Sequence, residues 1–245
     1  MQKQQSQEEL IKKYDKTKLK NYNAFTMIPL DIFQKGLSRN AIGLYIYLST
    51  IAGVSPYYEG KKAALMLNTQ SLLRMLKWKT RRAELQSLID ELIDTKVIQI
   101  YNRVDTGREF DVIFPRIKYD KDMRFLKLYS FTLRKLMTVT SGKRLLGRFV
   151  SYAGLRTGIF ENSTSSQIFE QSPSYVAQIL GVNADVIRHN FSWLRENNII
   201  AFYKCKVSED LGYERYYYAE YRDWKKLRDV IKGYVKQGVV KKVLA

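Results

Sequence analysis

The sequence predicts an α+β fold, mainly helical, in which one structural unit is used twice, and three observations carry that expectation. The chain has 245 residues, enough for two domains of ordinary size. Apolar residues make up 45% and aromatic residues 13%, a composition that packs into globular domains. The third observation is an internal repeat. SGKRLLGRFVSYAG, from Ser141, matches RNAIGLYIYLSTIAG, from Arg39, with Leu145, Phe149 and Ala153-Gly154 in the places of Leu44, Leu48 and Ala52-Gly53. Further on, Ile187, Leu194 and Ile199 stand where Leu85, Leu92 and Val97 stand in the first half, so two separate matches share nearly one shift.

Residues 1–21, MQKQQSQEELIKKYDKTKLKN, hold Lys12, Lys13, Lys16, Lys18 and Lys20 without a sustained apolar stripe and read as a basic arm. From Phe25 the chain turns apolar. Ile42, Leu44, Tyr45, Leu48, Ile51 and Ala52 recur at helical spacing, with Ser38 in the place of an N-cap. VSPYYEGKK, residues 54–62, reads as a loop on its Pro and Gly. Thr69 to Leu76 reads as a short helix, Lys77–Lys79 as a tight turn and Thr80 as the next N-cap. Arg81 to Asp94 makes a longer helix with Leu85, Leu88, Ile89 and Leu92 on one face. VIQIYNRV and EFDVIF then read as strands joined by the hairpin turn Asp105-Thr106-Gly107-Arg108.

The second half keeps this order. FLKLYSFTLRKL leads into it, Ser172-Pro173 is an N-cap followed by proline in the first turn, and Asn183 caps the longer helix. AFYKCKV and YERYYYAEY read as strands around the turn Ser208-Glu209-Asp210-Leu211-Gly212. The closing stretch, RDWKKLRDVIKGYVKQGVVKK, reads as a basic amphipathic helix with the apolar stripe Trp224, Leu227, Ile231, Tyr234 and Val235. Lys225, Lys226, Arg228, Lys232 and Lys236 lie off that stripe. Its expected place is against the second domain or a dimer partner, ahead of a membrane surface.

Helix, helix, turn, helix, strand, turn, strand is the order of a winged helix-turn-helix. The chain therefore divides into the arm over 1–21, a winged-helix domain over 22–120, and a second one with the C-terminal helix over 121–245. Such a unit lays its longer helix in the DNA major groove, where each base pair shows its own donor and acceptor pattern. Stepping about 100° per residue from Leu85, Ile89 and Leu92 turns Ala83, Gln86, Ser87 and Asp90 outward, with Arg81 and Arg82 in the first turn. The same step from Ile187, Phe191 and Leu194 turns Asp185, Arg188, His189 and Ser192 outward. Gln pairs with adenine and Arg with guanine through two hydrogen bonds. Thr69, Gln70, Lys77, Lys79 and Ser174 fall at the ends of the supporting helices, and Thr80 and Asn183 at helix starts, where phosphate contacts form.

The two hairpin tips differ. Arg103 and Arg108 near the first suit a phosphate or a narrow minor groove. Glu209 and Asp210 at the second would be repelled by phosphate, so that wing is expected to face protein or solvent. His189 stands equally for a DNA contact or a plain surface residue. Tyr213, Tyr216, Tyr217, Tyr218 and Tyr221 read first as strand filling, with stacking of unpaired bases as the alternative.

Lysine and arginine total 42 against 24 acidic residues, a net charge of +18. Residues 1–120 carry 20 basic and 13 acidic side chains, and residues 121–245 carry 22 and 11, so both halves hold the excess. That favours a polyanionic partner, nucleic acid first and an acidic membrane surface second, over a merely lysine-rich solvated surface, and with the two reading helices the expected partner is double-stranded DNA. A single cysteine, Cys205, excludes a disulfide framework and a Cys-rich zinc site. A single histidine, His189, excludes chemistry that needs two imidazoles, the paired-histidine metal site of a rolling-circle nickase included. No Gly-x-x-x-x-Gly-Lys-Ser/Thr loop is present, and Ser192 stands where a tyrosine recombinase has Arg after its His. The expectation is a protein without catalysis, cofactor or metal. No apolar run reaches about 18 residues and the polar N-terminal stretch has no signal-peptide core, so no membrane is expected and the expected location is the cytoplasm.

In Leu37-Ser38 before the first helix, in Thr69–Asp94 and Pro173–Asn197, and in FLKLYSFTLRKL, the chain resembles the tandem winged-helix replication initiators of theta-replicating bacterial plasmids. The resemblance runs over roughly residues 25–221. It implies sequence-specific binding of repeated origin sites as a monomer and repression of the protein's own promoter as a homodimer. It also implies a host helicase or initiator as partner, because no ATPase motif is present. The acidic second wing departs from a picture in which both domains grip DNA alike. Two other readings use the same parts: a transcriptional regulator (repressor) of a plasmid, phage or integrative element, and a partitioning or structural adaptor whose second domain binds protein.

Overall fold

Most elements of the first half have a counterpart in the second, the hairpin strand Tyr57–Glu59 being without one among the described residues. A computed structural model describes residues 25–54, 57–59, 62–78, 80–105, 108–114, 124–157, 168–170, 172–207 and 214–244 of this α+β chain. The first half runs β1 (Phe25–Pro29), a 3-10 turn (Leu30–Gln34), α1 (Arg39–Val54), β2 (Tyr57–Glu59), β3 (Lys62–Leu67), α2 (Thr69–Met75), α3 (Arg82–Asp94), β4 (Gln99–Asp105) and β5 (Arg108–Phe114). The second runs β6 (Phe125–Tyr129), α4 (Ser130–Val139), α5 (Gly142–Arg156), β7 (Ile168–Glu170), α6 (Pro173–Ile179), α7 (Ala184–Glu196), β8 (Ile200–Lys206) and β9 (Glu214–Glu220). A 3-10 turn (Tyr221–Asp223), α8 (Trp224–Lys236) and β10 (Lys242–Val243) follow.

The sheets repeat with the helices. The first has the order β2-β3-β5-β4 and the second β10-β8-β9-β7, all antiparallel. In both, the strand ahead of the short helix pairs with the second strand of the hairpin: Leu65 opposite Ile113, and Phe169 opposite Tyr218. β1 and β6 form a third, two-stranded sheet centred on Met27 opposite Lys127. Because each of these strands is the other's counterpart in the repeat, their antiparallel pairing sets the halves about a local two-fold relation.

That relation continues into the core. Residues 41–50 of α1 are buried without a break, as are residues 148–156 of α5, so neither helix has a solvent face along those turns. A helix apolar all round lies inside a body. The two helices pack against each other, with the rings of Tyr47 and Phe149 6.2 Å apart. Gly43 makes the crossing close, since a Cβ there would lie 2.5 Å from the Leu146 carbonyl oxygen. Arg39 donates across it to the Gly147 carbonyl, at 3.0 Å, and to the Ser151 hydroxyl, at 3.1 Å. The Gly142 N–H donates to the carbonyl of Leu76 in the other half, at 2.8 Å. One hydrophobic core, from Ile28 and Leu44 through Phe149 to Phe191 and Tyr218, therefore serves both halves.

Several expectations need correction. The stretch 54–62 is not one loop, because Tyr57–Glu59 and the residues from Lys62 form a hairpin that extends the first sheet. Thr80 is not the N-cap of α3; Arg81 holds that place, and its side chain turns to Glu84 instead of capping the backbone. The C-terminal helix stops at Lys236, where Gly238 takes a left-handed φ of +72° and the chain folds back to pair Lys242 with Lys206. Val235 does not belong to the buried stripe and is 45% exposed. Leu227 and Ile231 pack with Cys205, Tyr217 and Ala219 in a second small core, so α8 covers the outer face of the second sheet. No helix among the described residues is long and apolar enough to cross a membrane. The expected arm over 1–21 and the boundary between 120 and 121 lie outside the described residues.

Candidate nucleic-acid interface

Both longer helices turn a polar face to solvent because their apolar residues are consumed by the core. In α3, Leu85, Leu88, Ile89 and Leu92 are buried, while Arg81, Arg82, Ala83, Gln86, Ser87 and Asp90 are exposed. In α7, Ile187, Phe191 and Leu194 are buried, while Asp185, Arg188, His189 and Ser192 are exposed. The helical count from the sequence thus places every one of these side chains on the expected side.

The local caps also form. Ser38 Oγ accepts from the Ala41 N–H at 3.2 Å, Ser172 Oγ from Tyr175 at 3.1 Å, and Asn183 Oδ1 from Asp185 at 2.8 Å. Asn68 caps α2 in the same way, accepting from Ser71 at 2.7 Å. In the supporting helices, Thr69 is half-buried and Gln70 and Ser174 are exposed. Lys77 is exposed in the turn between α2 and α3, with a left-handed φ of 54°, and Thr80 is exposed just before α3. Thr69, Gln70, Lys77, Thr80, Arg81, Arg82, Gln86 and Ser87 therefore lie on α2, α3 and the turn between them, and Ser174, Asn183, Arg188, His189 and Ser192 on α6, α7 and the turn between those. Gln86, Thr69 and Asn68 share the rim of a groove of about 200 Å³ floored by Leu72, Ile89 and Ile113. Lys79 and the second hairpin tip with Glu209 and Asp210 lie outside the described residues. For Arg103 and Arg108 the backbone alone is described: they sit near the tip of the first hairpin, opposite Phe110 and Asp105.

The exposed groups are held in reserve by acidic neighbours on their own helix. Gln86 donates to Asp90 at 2.9 Å, and Arg188 pairs with Asp185 at 2.5 Å. Exposed pairs of this kind contribute only about 0.3–0.5 kcal/mol, so a stronger acceptor displaces the carboxylate easily. Glu84 is held below the usual carboxylate range by hydrogen bonds from Arg81 and from Lys143 of α5.

A polar framework that sequence reasoning missed, exposed at Ser38 and buried at Arg148, holds these helices. The Ser38 N–H and hydroxyl both donate to Glu91, the hydroxyl at 2.7 Å, tying α3 to the start of α1. Arg148 of α5 donates to Asn190 on the inner side of α7 and lies 4.3 Å from the centre of the Trp193 ring. Burial lowers the Arg148 guanidinium to about 10. Asn190 interrupts the apolar side of α7, and that interruption was the signal available. Of the tyrosine run, Tyr217 and Tyr218 are buried and Tyr216 and Tyr221 half-buried, while Tyr213 lies outside the described residues.

This arrangement can present two polar helix faces, mounted on one core, to a long polyanion. It brings together no cluster of three or more His, Cys, Asp or Glu side chains among the described residues. No family model, curated protein or solved structure matches the chain.

Proposed function

We propose that the chain is a sequence-specific duplex-DNA-binding protein made of two tandem winged helix-turn-helix units, and that it acts in the cytoplasm as a plasmid replication initiator at repeated origin sites. One observation carries the reading. Each half joins a short helix, a turn and a longer helix with an exposed polar face to an antiparallel hairpin that takes a further strand from ahead of the short helix. In this reading α3 and α7 enter major grooves. Gln86 and Arg188 exchange Asp90 and Asp185 for base edges, while Lys77, Arg81, Arg82 and Arg103 meet phosphates. The shared core carries both helices on one body, which would let a single chain address two stretches of duplex. With no ATPase motif, opening the origin falls to a host helicase or initiator.

The test is selection of bound duplexes from a random pool, followed by titration of the selected site at rising salt. With about six phosphates neutralised, log K against log salt should slope near −5. A failure to select any site, or a flat titration, refutes the reading. Direct repeats of the selected site beside the gene mark an initiator, and a lone inverted repeat marks a repressor.

A further inference from the structure

A second binding surface lies at the other end of α7. There a cleft of about 500 Å³ opens between the last turns of that helix, the first half of β8 and the start of α8. Phe202, Tyr203, Tyr221 and Trp224 line it, so aromatic rings form much of its wall. Three of them carry a cation. The Arg195 guanidinium lies 4.5 Å from the centre of Phe202, the Lys135 ammonium 5.2 Å from Tyr221, and Arg228, which also forms an exposed ion pair with Asp229 at 3.0 Å, 5.3 Å from Trp224. Among the described residues Glu196 is the one acidic group in the lining. Tyr221 and Trp224 are half-buried and sit where β9 turns into α8.

Rings edged by cations, with one wall of hydrogen-bonding groups at Ser192 and Asn198, suit a flat π-system that carries negative charge. The volume is that of a small-ligand site. Bases stack on aromatic faces and on guanidinium planes whatever their sequence. We propose that this cleft binds a nucleotide unit, with its base stacked among Tyr203, Tyr221 and Trp224 and its phosphate drawn to Arg195 and Arg228. The unit comes either from a single strand or from a free nucleotide. Ser192 lies one helical turn, about 6 Å, beyond Arg188, so a strand parted from a duplex held by α7 would reach the cleft directly. The strand source rests on duplex binding by α7, but the cleft itself needs neither Gln86 nor Arg188, so its failure and that of duplex reading are distinguishable.

The experiment uses the full chain and three probes: fluorescein-labelled oligo(dT) of twelve nucleotides, dTMP as competitor, and a labelled duplex. Trp224→Leu should weaken oligo(dT) binding at least about fivefold, the loss of one stacked base, while Trp224→Phe restores it and duplex binding moves less than about twofold. Arg195→Glu, a surface change, should weaken oligo(dT) as well and keeps the test valid should Trp224→Leu lose its circular dichroism. Displacement by dTMP at matched nucleotide concentration assigns the site to free nucleotides, and resistance to it assigns the site to a strand. Absence of oligo(dT) and dTMP binding, or unchanged oligo(dT) affinity in Arg195→Glu and folded Trp224→Leu, overturns the proposal.

Discussion

Replacing Gly43 by Ala tests the shared core. A methyl carbon there would lie 2.5 Å from the Leu146 carbonyl oxygen, 2.7 Å from its Cβ and 2.8 Å from its carbonyl carbon. Non-bonded carbons rest about 3.5–4.0 Å apart, so α1 and α5 must part by roughly 1 Å. Two of the three atoms are backbone, and no rotamer change relieves them. Overpacking a core costs about 1–3 kcal/mol, and the upper end applies where both halves hang on one crossing. The better helix propensity of Ala offsets about 1 kcal/mol. The net loss of about 2 kcal/mol corresponds to a fall in Tm of about 4–8 °C for a chain of this size. A thermal melt followed by circular dichroism reads it, with Gly233→Ala as control. That glycine is in α8 with nothing within 4 Å of an added Cβ, so its replacement should stabilise by up to about 1 kcal/mol. A Gly43→Ala protein that melts at or above the parent temperature refutes the close crossing and the single core built on it.

Other expectations follow from the same contacts. Glu220, 1% exposed, accepts from Thr132 at 2.6 Å and from Tyr152, and pairs with Arg156, itself 5% exposed, so Glu220→Ala should cost about 3–5 kcal/mol by urea denaturation. A loss below about 1 kcal/mol would show that the buried arginine finds another partner. Burial pushes the Cys205 thiol up to about 11, so at pH 8 only about one molecule in a thousand holds a thiolate and alkylation should track unfolding. Since an unfolded thiol ionises near 8.5, the stability tied to Cys205 is whole below that pH and drains away as pH rises toward 11; a thermal melt insensitive to pH over that range argues against the burial. Replacing Arg103 and Arg108 together by Ala should weaken binding to every duplex alike, whereas removing Glu209 and Asp210 should leave it unchanged or tighter. Loss of binding in the acidic variant reverses that ranking of the hairpins.

Local signals were legible and pairings across the repeat were not. The helices announce themselves through apolar spacing and, for α1, α6 and α7, through Ser38, Ser172 and Asn183, whose caps act within three residues. Leu85, Ile89 and Leu92 likewise fix which side of α3 faces out. The short strands β2 and β7 have three residues each, too few for alternation to show, and Pro56 beside the first reads as a loop. The pairing of Met27 with Lys127 depends on a partner a hundred residues away and leaves no periodic trace. Arg148, Asn190 and Glu220 are buried polar residues and Glu91 a half-buried one, all placed by tertiary partners, so a hydropathy pattern assigns them to the surface. Thr80 shows the converse: a good capping residue lost its place because Arg81 found Glu84.

The most direct test of duplex reading is a paired titration of a selected duplex and a scrambled one against Gln86→Ala, Arg188→Ala and Lys77→Ala, with circular dichroism to confirm folding. A two-bond base contact carries about 1–3 kcal/mol of discrimination. The account predicts that Gln86→Ala and Arg188→Ala lose affinity for the selected duplex and keep it for the scrambled one, while Lys77→Ala weakens both about equally. Equal losses on the two duplexes for Gln86→Ala and Arg188→Ala would contradict it.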